Sequence, residues 1–401
     1  MKQKIIDKIN RLASQKEPFL FVINYQADEA FIRKLSDINP EECLFDFEGR
    51  GNWRENHSKE MGDSKRIYEE ISREISREIP KEISEKKFFK GTPLDSPISW
   101  QITPPLYNDY ERSFNIVKSN IMAGNSYLTN LTNRVPVSCN LSLEEIFHRA
   151  KGKYKLLLRR KRTQAEDKAH LKEENIEENL TPFVCFSPET FVRIKGGRIY
   201  SYPMKGTLDA SLPNAEKLLM EDRKEAAEHA TIVDLIRNDL SRVAEDVRVD
   251  KYRYVDVLHT NKGDILQTSS EISGRLPEDY PHHLGEILDA QLPAGSITGA
   301  PKDKTMQIIQ EAEGYDRGFY TGIMGIYDQG ELNSAVMIRF IEEETSPVDF
   351  EADGEKNFKA NEGKKPKKSR KLYFKAGGGI TSKSDCRREY EEVIQKIYLP
   401  F

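Results

Sequence analysis

The apolar residues of this chain change period several times, and each change marks an element. Residues 18–25, PFLFVINY, are apolar almost without interruption, and 44–47 form a second, shorter run. Short runs rich in aromatic and β-branched side chains predict strands covered on both faces. Residues 110–123 carry apolar positions at helical spacing and stop at Gly124. A bent strand is expected over GNSYLTNLTNRVPV and a helix over LSLEEIFHRAKG. FVCFSPETFVRI and GGRIYSYPMKGT read as strands joined through Gly196-Gly197, a pair suited to a tight turn. One long helix is expected across 214–244, followed by the strands VRVDKYRYVDVLHT and DILQTSSEISGRL. GFYTGIMGIYD and GELNSAVMIRF predict a hairpin around Gln329-Gly330, with Tyr320 on its first strand and Arg339 on its second. VMIRFIE and KLYFKAGGGI are strands, and a last helix covers 384–397.

Three stretches break this pattern. Within 56–92, Ile67, Ile71, Ile75, Ile79 and Ile83 recur every four residues. A four-residue step drifts from the helical period, so the stripe winds around a helix, and Pro80 breaks it. We expect an inserted, solvated helix there. Residues 159–180 are almost all charged or polar, and 343–371 hold an acidic block followed by KKPKKSRK. Both read as exposed excursions. The high charged fraction, 32% against 37% hydrophobic, agrees that part of the chain is solvated insert. Residues 1–106 form a short N-terminal region carrying the 56–92 insert, and 107–401 the main domain with inserts near 159–180 and 343–371.

Charge and cysteine usage narrow the class. A net charge of −4 argues against a nucleic-acid binder, and the basic run reads as a solvated hairpin tip. No apolar run approaches the ~18 residues of a membrane span, and the N-terminus lacks the unbroken apolar stretch of a signal peptide. Cys43, Cys139, Cys185 and Cys386 are scattered with no metal-binding spacing, which fits reduced thiols in the cytoplasm.

Several residues carry candidate chemistry. The loop PAGSITGAPK, 293–302, runs small residues into a helix start, with Pro301 expected at the first helical position. Bare N–H groups flanked by hydroxyls there would seat a carboxylate or phosphate. Glu225 and Glu228 lie three apart, as do Glu389 and Glu392, so each pair shares a helix face. Such pairs fit either a solvated face or, facing each other, a hard cation such as Mg²⁺. Asp234 and Arg237 sit among apolar neighbours and need partners, structural or catalytic. Gly377, Gly378 and Gly379 imply a close backbone approach to a ligand or to another strand. Arg339, inside AVMIRF, calls for a carboxylate from the protein or a ligand. Lys205 in PMKGT precedes Gly206 at a strand end, where a lone lysine is ordinarily just exposed.

Together these motifs resemble a family. FSPE, PMKGT, EHATIVDLIRNDLSRV, PAGSITGAPK, YTGIMGIYD, VMIRF and AGGGITSKSD…EYEE are similar, in order, to those of the chorismate-utilising enzymes. That family includes anthranilate synthase component I, aminodeoxychorismate synthase component I, isochorismate synthases and salicylate synthases. The resemblance implies an α+β fold, with two large packed antiparallel β-sheets flanked by helices and the active site between them. It implies Mg²⁺ held by Glu225, Glu228, Glu389 and Glu392 against the ring carboxylate of chorismate. Tyr320 and Arg339, with the backbone of Gly377, Gly378 and Gly379, would hold the enolpyruvyl carboxylate. His259 would lie near the ring, and Thr298 and Gly299 would line the pocket.

The resemblance also separates the reactions. Water-using members carry a lysine base where this chain has Leu128, so isochorismate and salicylate synthesis are not expected. Anthranilate synthases usually have alanine where this chain has Lys205; aminodeoxychorismate synthases have lysine. There the lysine attacks C2 of chorismate while Glu189 protonates the departing C4 hydroxyl, and ammonia then displaces the lysine. The expectation is Mg²⁺-dependent formation of 4-amino-4-deoxychorismate, on the way to p-aminobenzoate and folate. Ammonia would come from a separate glutamine amidotransferase subunit, because no such domain is visible. Anthranilate synthesis is the alternative; a non-catalytic interaction protein on this fold is the remote one.

Overall fold

The computed structural model describes residues 1–53, 97–159, 180–260, 263–346 and 369–401. The helix expected within 56–92 and most of the excursions at 159–180 and 343–371 lie outside the described residues, but the ends of the last are not excursion: 343–346 pairs with 369–372 as strand, extending the ladder of the flanking apolar runs.

Two nine-stranded antiparallel sheets form the molecule. Across the first sheet the order is Met204–Asp209, Gly263–Arg275, Arg198–Ser201, Thr190–Lys195, Glu331–Val336, Ile323–Asp328, Phe19–Ile23 and Ala30–Lys34, with Glu245–Thr260 also pairing Gly263–Arg275. Across the second it is Gly299–Ala300, Leu128–Cys139, Ser369–Thr381, Phe340–Ser346, Phe183–Ser187, Tyr154–Leu158, Cys43–Phe47 and Arg50–Gly51, with Trp100–Ile102 pairing Leu128–Cys139. The expected fold class is therefore present. The boundary expected at 106/107 has no counterpart in the sheets: Phe19–Ile23 pairs Ile323–Asp328, and Cys43–Phe47 pairs Tyr154–Leu158. The N-terminal strands complete sheets built mostly from the rest of the chain.

Continuous apolar runs follow from three cores. Phe19, Phe21 and Ile23 face a core beneath the helices Gln3–Ser14 and Leu284–Gln291, whereas Leu20 and Val22 face the core between the sheets. Period-2 alternation thus divides one strand between two apolar environments, so all five of its residues are buried. Val184 and Phe186 face the helix-covered side of the second sheet, while Phe183 and Cys185 face inward. Phe183 stacks on Phe340 at 4.5 Å between ring centroids, inside the inter-sheet layer.

Two expected elements differ. The helix expected over 214–244 is broken into Ala215–Glu221 and Arg223–Leu240. Asp222 leaves the helix with extended backbone, and its carboxylate accepts the Glu225 N–H at 3.0 Å, so a local cap restarts the second helix. Arg339 lies on no strand. Its φ of 56° turns the chain where Glu331–Val336 leaves the first sheet and Phe340–Ser346 enters the second.

The second sheet has a polarity that matters below. The pairs Leu158↔Phe183, Ser346↔Ser369 and Trp100↔Cys139 share one end of it. Gly377–Gly379 and Leu128 lie toward the other end.

Candidate active site

Lys205 owes its direction to a slip in register. Strand Met204–Asp209 shifts against Gly263–Arg275 between Lys205 and Thr207, where Gly206 takes φ +74°. The Lys205 ammonium lies 3.1 Å from Glu228 Oε2, on the helix Arg223–Leu240. Glu225, three residues earlier, packs on Gly206: a Cβ there would meet its Oε2 at 3.1 Å.

The glycine triplet brings the second sheet to the same place. Gly377, Gly378 and Gly379 pair with Thr132, Leu131 and Asn130. A Cβ on Gly379 would stand 3.8 Å from Lys205 Nζ and 3.1 Å from Leu128 Cδ1. On Gly378 it would stand 3.6 Å from Glu389 Oε2 and 3.8 Å from Lys396 Nζ. The space that side chains would take is thus filled by functional groups. Lys396 itself bonds Glu392 at 2.7 Å and the Gly377 carbonyl at 3.0 Å.

Glu189 and Arg339 occupy two crossings between the sheets. The chain passes from Phe183–Ser187 to Thr190–Lys195 at Glu189, and from Glu331–Val336 to Phe340–Ser346 at Arg339. The crossings are tied together: the Val336 N–H donates to the Glu189 carbonyl, and the Phe186 N–H to the Arg339 carbonyl, both at 3.2 Å. Burial pushes the Glu189 carboxyl up; the Ser296 hydroxyl and the charges of Arg339 and Lys205 oppose that. Ser296 donates to Glu189 Oε1.

Tyr320 sits in the turn before Ile323–Asp328, 3% exposed, within the inter-sheet core. Burial raises its phenol, and the positive charges of Arg317 and Arg339 oppose the shift. Arg339 is half-buried, its guanidinium 5.7 Å from the Tyr398 ring.

The loop 293–302 is more closed than its sequence predicts. Gly295–Thr298 makes one helical turn, and Gly299–Ala300 pairs with Thr129 and Leu128. Gly299, at φ +125°, passes so close that a Cβ would be 1.8 Å from the Leu128 carbonyl oxygen. Its N–H donates to Gly295, and that of Ile297 to Ala294, so two of the bare donors are consumed locally. Pro301 is the N-cap of Lys302–Glu313 rather than its first residue. Thr298 is fully buried. Lys302 holds Asp239 at 2.8 Å and the Gln291 carbonyl at 3.0 Å, fastening the loop to the long helix.

His259 backs onto Asp264 near the end of its hairpin, whereas Lys205 backs onto Thr268 on the same strand. Its side chain lies outside the described residues. The helix supplies another imidazole: buried His229, beside Glu228 in sequence, has Nε2 2.7 Å from Ser270 Oγ. Burial, followed by the charges of Arg253 and Lys205, lowers its pKa to about 4, so it is neutral near pH 7. Asp234 and Arg237 pair with each other at 2.7 Å on the exposed side of this helix.

Sequence reasoning placed Ser296 and Lys302 in the loop read as a carboxylate seat but gave neither its partner, Glu189 or Asp239, and it missed Lys396. Lys396 follows Glu392 at i+4, a findable signal. Nothing local marks Ser296 as the partner of a residue 107 positions away.

Hard carboxylate oxygens from two helices approach the glycine strand from either side, a donor set suited to Mg²⁺. Among the described residues, however, no three His, Cys, Asp or Glu groups are gathered into a metal-holding cluster. No helix among them is long and apolar enough to cross a membrane.

Residues 1–354 match the family model described as chorismate binding enzyme. The chain is 40% identical, over 398 residues, to an uncharacterized PabA-like protein of Haemophilus influenzae, covering 99% of this chain and 97% of that one. It is 35% identical, over 222 residues, to anthranilate synthase component 1 of Aquifex aeolicus, covering 52% of this chain and 38% of that one. Among solved structures, anthranilate synthase component I of Streptococcus pneumoniae superposes with a TM-score of 0.61 at 19% identity, over 99% of this chain and 85% of that one. A putative 2,3-dihydroxybenzoate-specific isochorismate synthase of Bacillus anthracis also gives 0.61, at 17% identity, over 98% and 86%. Matched over most of its length by the family model, and sharing this architecture, the chain belongs to the chorismate-binding enzymes.

Proposed function

We propose that this chorismate-utilising enzyme replaces the C4 hydroxyl of chorismate with an amino group, giving 4-amino-4-deoxychorismate and water. The observation that carries the reading is Lys205. It is an amine set at the glycine strand, beside Leu128, and its positive charge acts on the buried Glu189 carboxyl.

In this reading Lys205 first gives up its ammonium proton to solvent, and the free amine forms a bond to C2 of the ring. Both ring double bonds shift, from C1=C2 and C5=C6 to C1=C6 and C4=C5, and the C4–O bond breaks. Glu189 gives its proton to the leaving oxygen, which departs as water. Ammonia then bonds to C4, both double bonds return, the C2–N bond to Lys205 breaks, and the new ammonium group gives a proton back to the Glu189 carboxylate. Burial suits Glu189 to the task, because it keeps the carboxyl protonated to higher pH than usual. Leu128 offers no base to activate water, which favours nitrogen as the nucleophile.

Glu225, Glu228, Glu389 and Glu392 would hold Mg²⁺, which would fix the ring carboxylate and withdraw electron density from the ring. Arg339 and Tyr320 would take the enolpyruvyl carboxylate, with Gly377, Gly378 and Gly379 allowing close approach. Ammonia would be delivered by a separate glutamine amidotransferase subunit; the PabA-like naming of the Haemophilus influenzae relative is in keeping with that.

The test is incubation with chorismate, Mg²⁺ and an ammonium salt at alkaline pH, followed by product separation. Aminodeoxychorismate, converted to p-aminobenzoate by an added lyase, is the expected product. Anthranilate as sole product would overturn the reading in favour of the second one, which the Aquifex aeolicus relative supports.

A further inference from the structure

Glu189 has a carboxyl on a turn between two sheets, and a general acid there must be aimed as well as protonated. Its own backbone is fixed at both ends: its carbonyl accepts from Val336, and its N–H donates to Ser187 Oγ at 3.1 Å. The side chain needs a separate anchor. Ser296 Oγ supplies one by donating to Oε1, leaving Oε2 as the oxygen that carries and delivers a proton. Ser296 is itself held. It lies on the single helical turn Gly295–Thr298, and the turn is pressed against the long helix, where a Cβ on Gly295 would meet Leu235 Cδ2 at 2.8 Å and Asp239 Oδ2 at 3.5 Å. Asp239 is locked by Lys302 from the far end of the same loop. Glu189, Ser296, Gly295, Asp239 and Gln291 line one small cleft.

We propose that Ser296 is a positioning residue for Glu189, orienting the carboxyl for proton delivery. The inference rests on the assignment of Glu189 as the acid in the proposed reaction. The charged and titratable groups facing Glu189 are Arg339 at the neighbouring crossing, Lys205 on its strand, and Asp239, Lys302 and Tyr202 around the cleft. A hydroxyl donated to a carboxylate favours its ionised form. Removing it therefore lets Glu189 hold its proton to higher pH while freeing its orientation.

The experiment compares wild type, Ser296→Ala, Ser296→Cys and Ser296→Thr labelled with ¹³Cδ-glutamate. Glu189→Gln identifies the relevant resonance. In Ser296→Ala the Glu189 titration should move to higher pH, the falling limb of the kcat profile should move with it, and kcat should drop on the order of tenfold through misorientation. Ser296→Thr, which keeps the hydroxyl, should restore both, and Ser296→Cys should lie between. An unmoved titration in the alanine and cysteine variants, or a threonine variant as impaired as alanine, overturns the proposal. The resonance is read without turnover, so a wild type that makes anthranilate removes the amination reading while the titration still decides the role of Ser296.

Discussion

In the proposed reaction Glu189 and Lys205 face opposed demands, one to hold a proton and the other to lose it. A carboxyl pushed up by burial keeps its proton to higher pH in the folded chain than in the unfolded one. Its favourable contribution is thus complete below the unfolded carboxyl range and is lost as pH rises through the folded value. Glu189→Gln removes the cost of burying the ionised form, so it should raise the melting temperature near neutral pH while lowering kcat by about 10²–10⁴-fold. Calorimetry and steady-state kinetics on the same preparation check both halves. Lys205→Ala should abolish amination while leaving chorismate bound, visible by isothermal titration. Arg317 is a different kind of residue. It is 1% exposed, bonds Glu313 at 2.6 Å and donates to the carbonyls of Ile297 and Asn130. Breaking that buried pair with Arg317→Met should cost about 3–5 kcal/mol in urea denaturation, because Glu313 keeps the Thr132 N–H but is left buried without its countercharge. Lys205 and Glu189 were legible through the resemblance, by their places in PMKGT and FSPE, and not from their local surroundings. Arg317 was not, because a charge in a polar stretch gives no hint of burial.

At the scale of elements, the glycine strand separates packing from chemistry. A Cβ on Gly377 would meet the Leu131 carbonyl at 2.5 Å, which only backbone movement relieves, whereas one on Gly379 meets the ends of Leu128 and Lys205. Gly377→Ala should therefore lower thermal stability by several degrees, and Gly379→Ala should leave melting nearly unchanged while suppressing turnover; a melting scan with an activity assay distinguishes them. Asp385 caps the helix Cys386–Gln395 by accepting the Arg388 N–H at 3.0 Å. Strands and hairpins were legible where alternation or turn glycines were clear: Gly196, Gly197, Gln329 and Gly330 all adopt positive φ, as tight turns require. The break at Asp222 was not, since apolar periodicity runs across it and only the cap shows the restart. The place of Arg339 was also hidden, because a strand that changes sheets keeps the same apolar composition on both sides of the crossing.

For the whole molecule, two packed sheets set functional groups from distant segments against one another, and binding at their junction should stabilise the entire fold. Magnesium at about 100 times its dissociation constant would add about 2.7 kcal/mol if it binds only the folded chain. A rise in melting temperature that EDTA reverses, and that Glu228→Gln lacks, is the expected result. The polarity of the second sheet carries a practical consequence. Ser346 and Ser369 are direct cross-strand partners, and at ~3.3 Å per residue they stand about 33 Å along the strand from Gly379. The connections 160–179 and 347–368 both enter and leave at that far end. Closing 346 to 369 with Asn-Gly should thus give a trimmed enzyme of unchanged catalytic competence. The same junction would accept a fused tag, a fluorophore or a tether to a surface, leaving the reacting end free for substrate and for any ammonia-supplying companion.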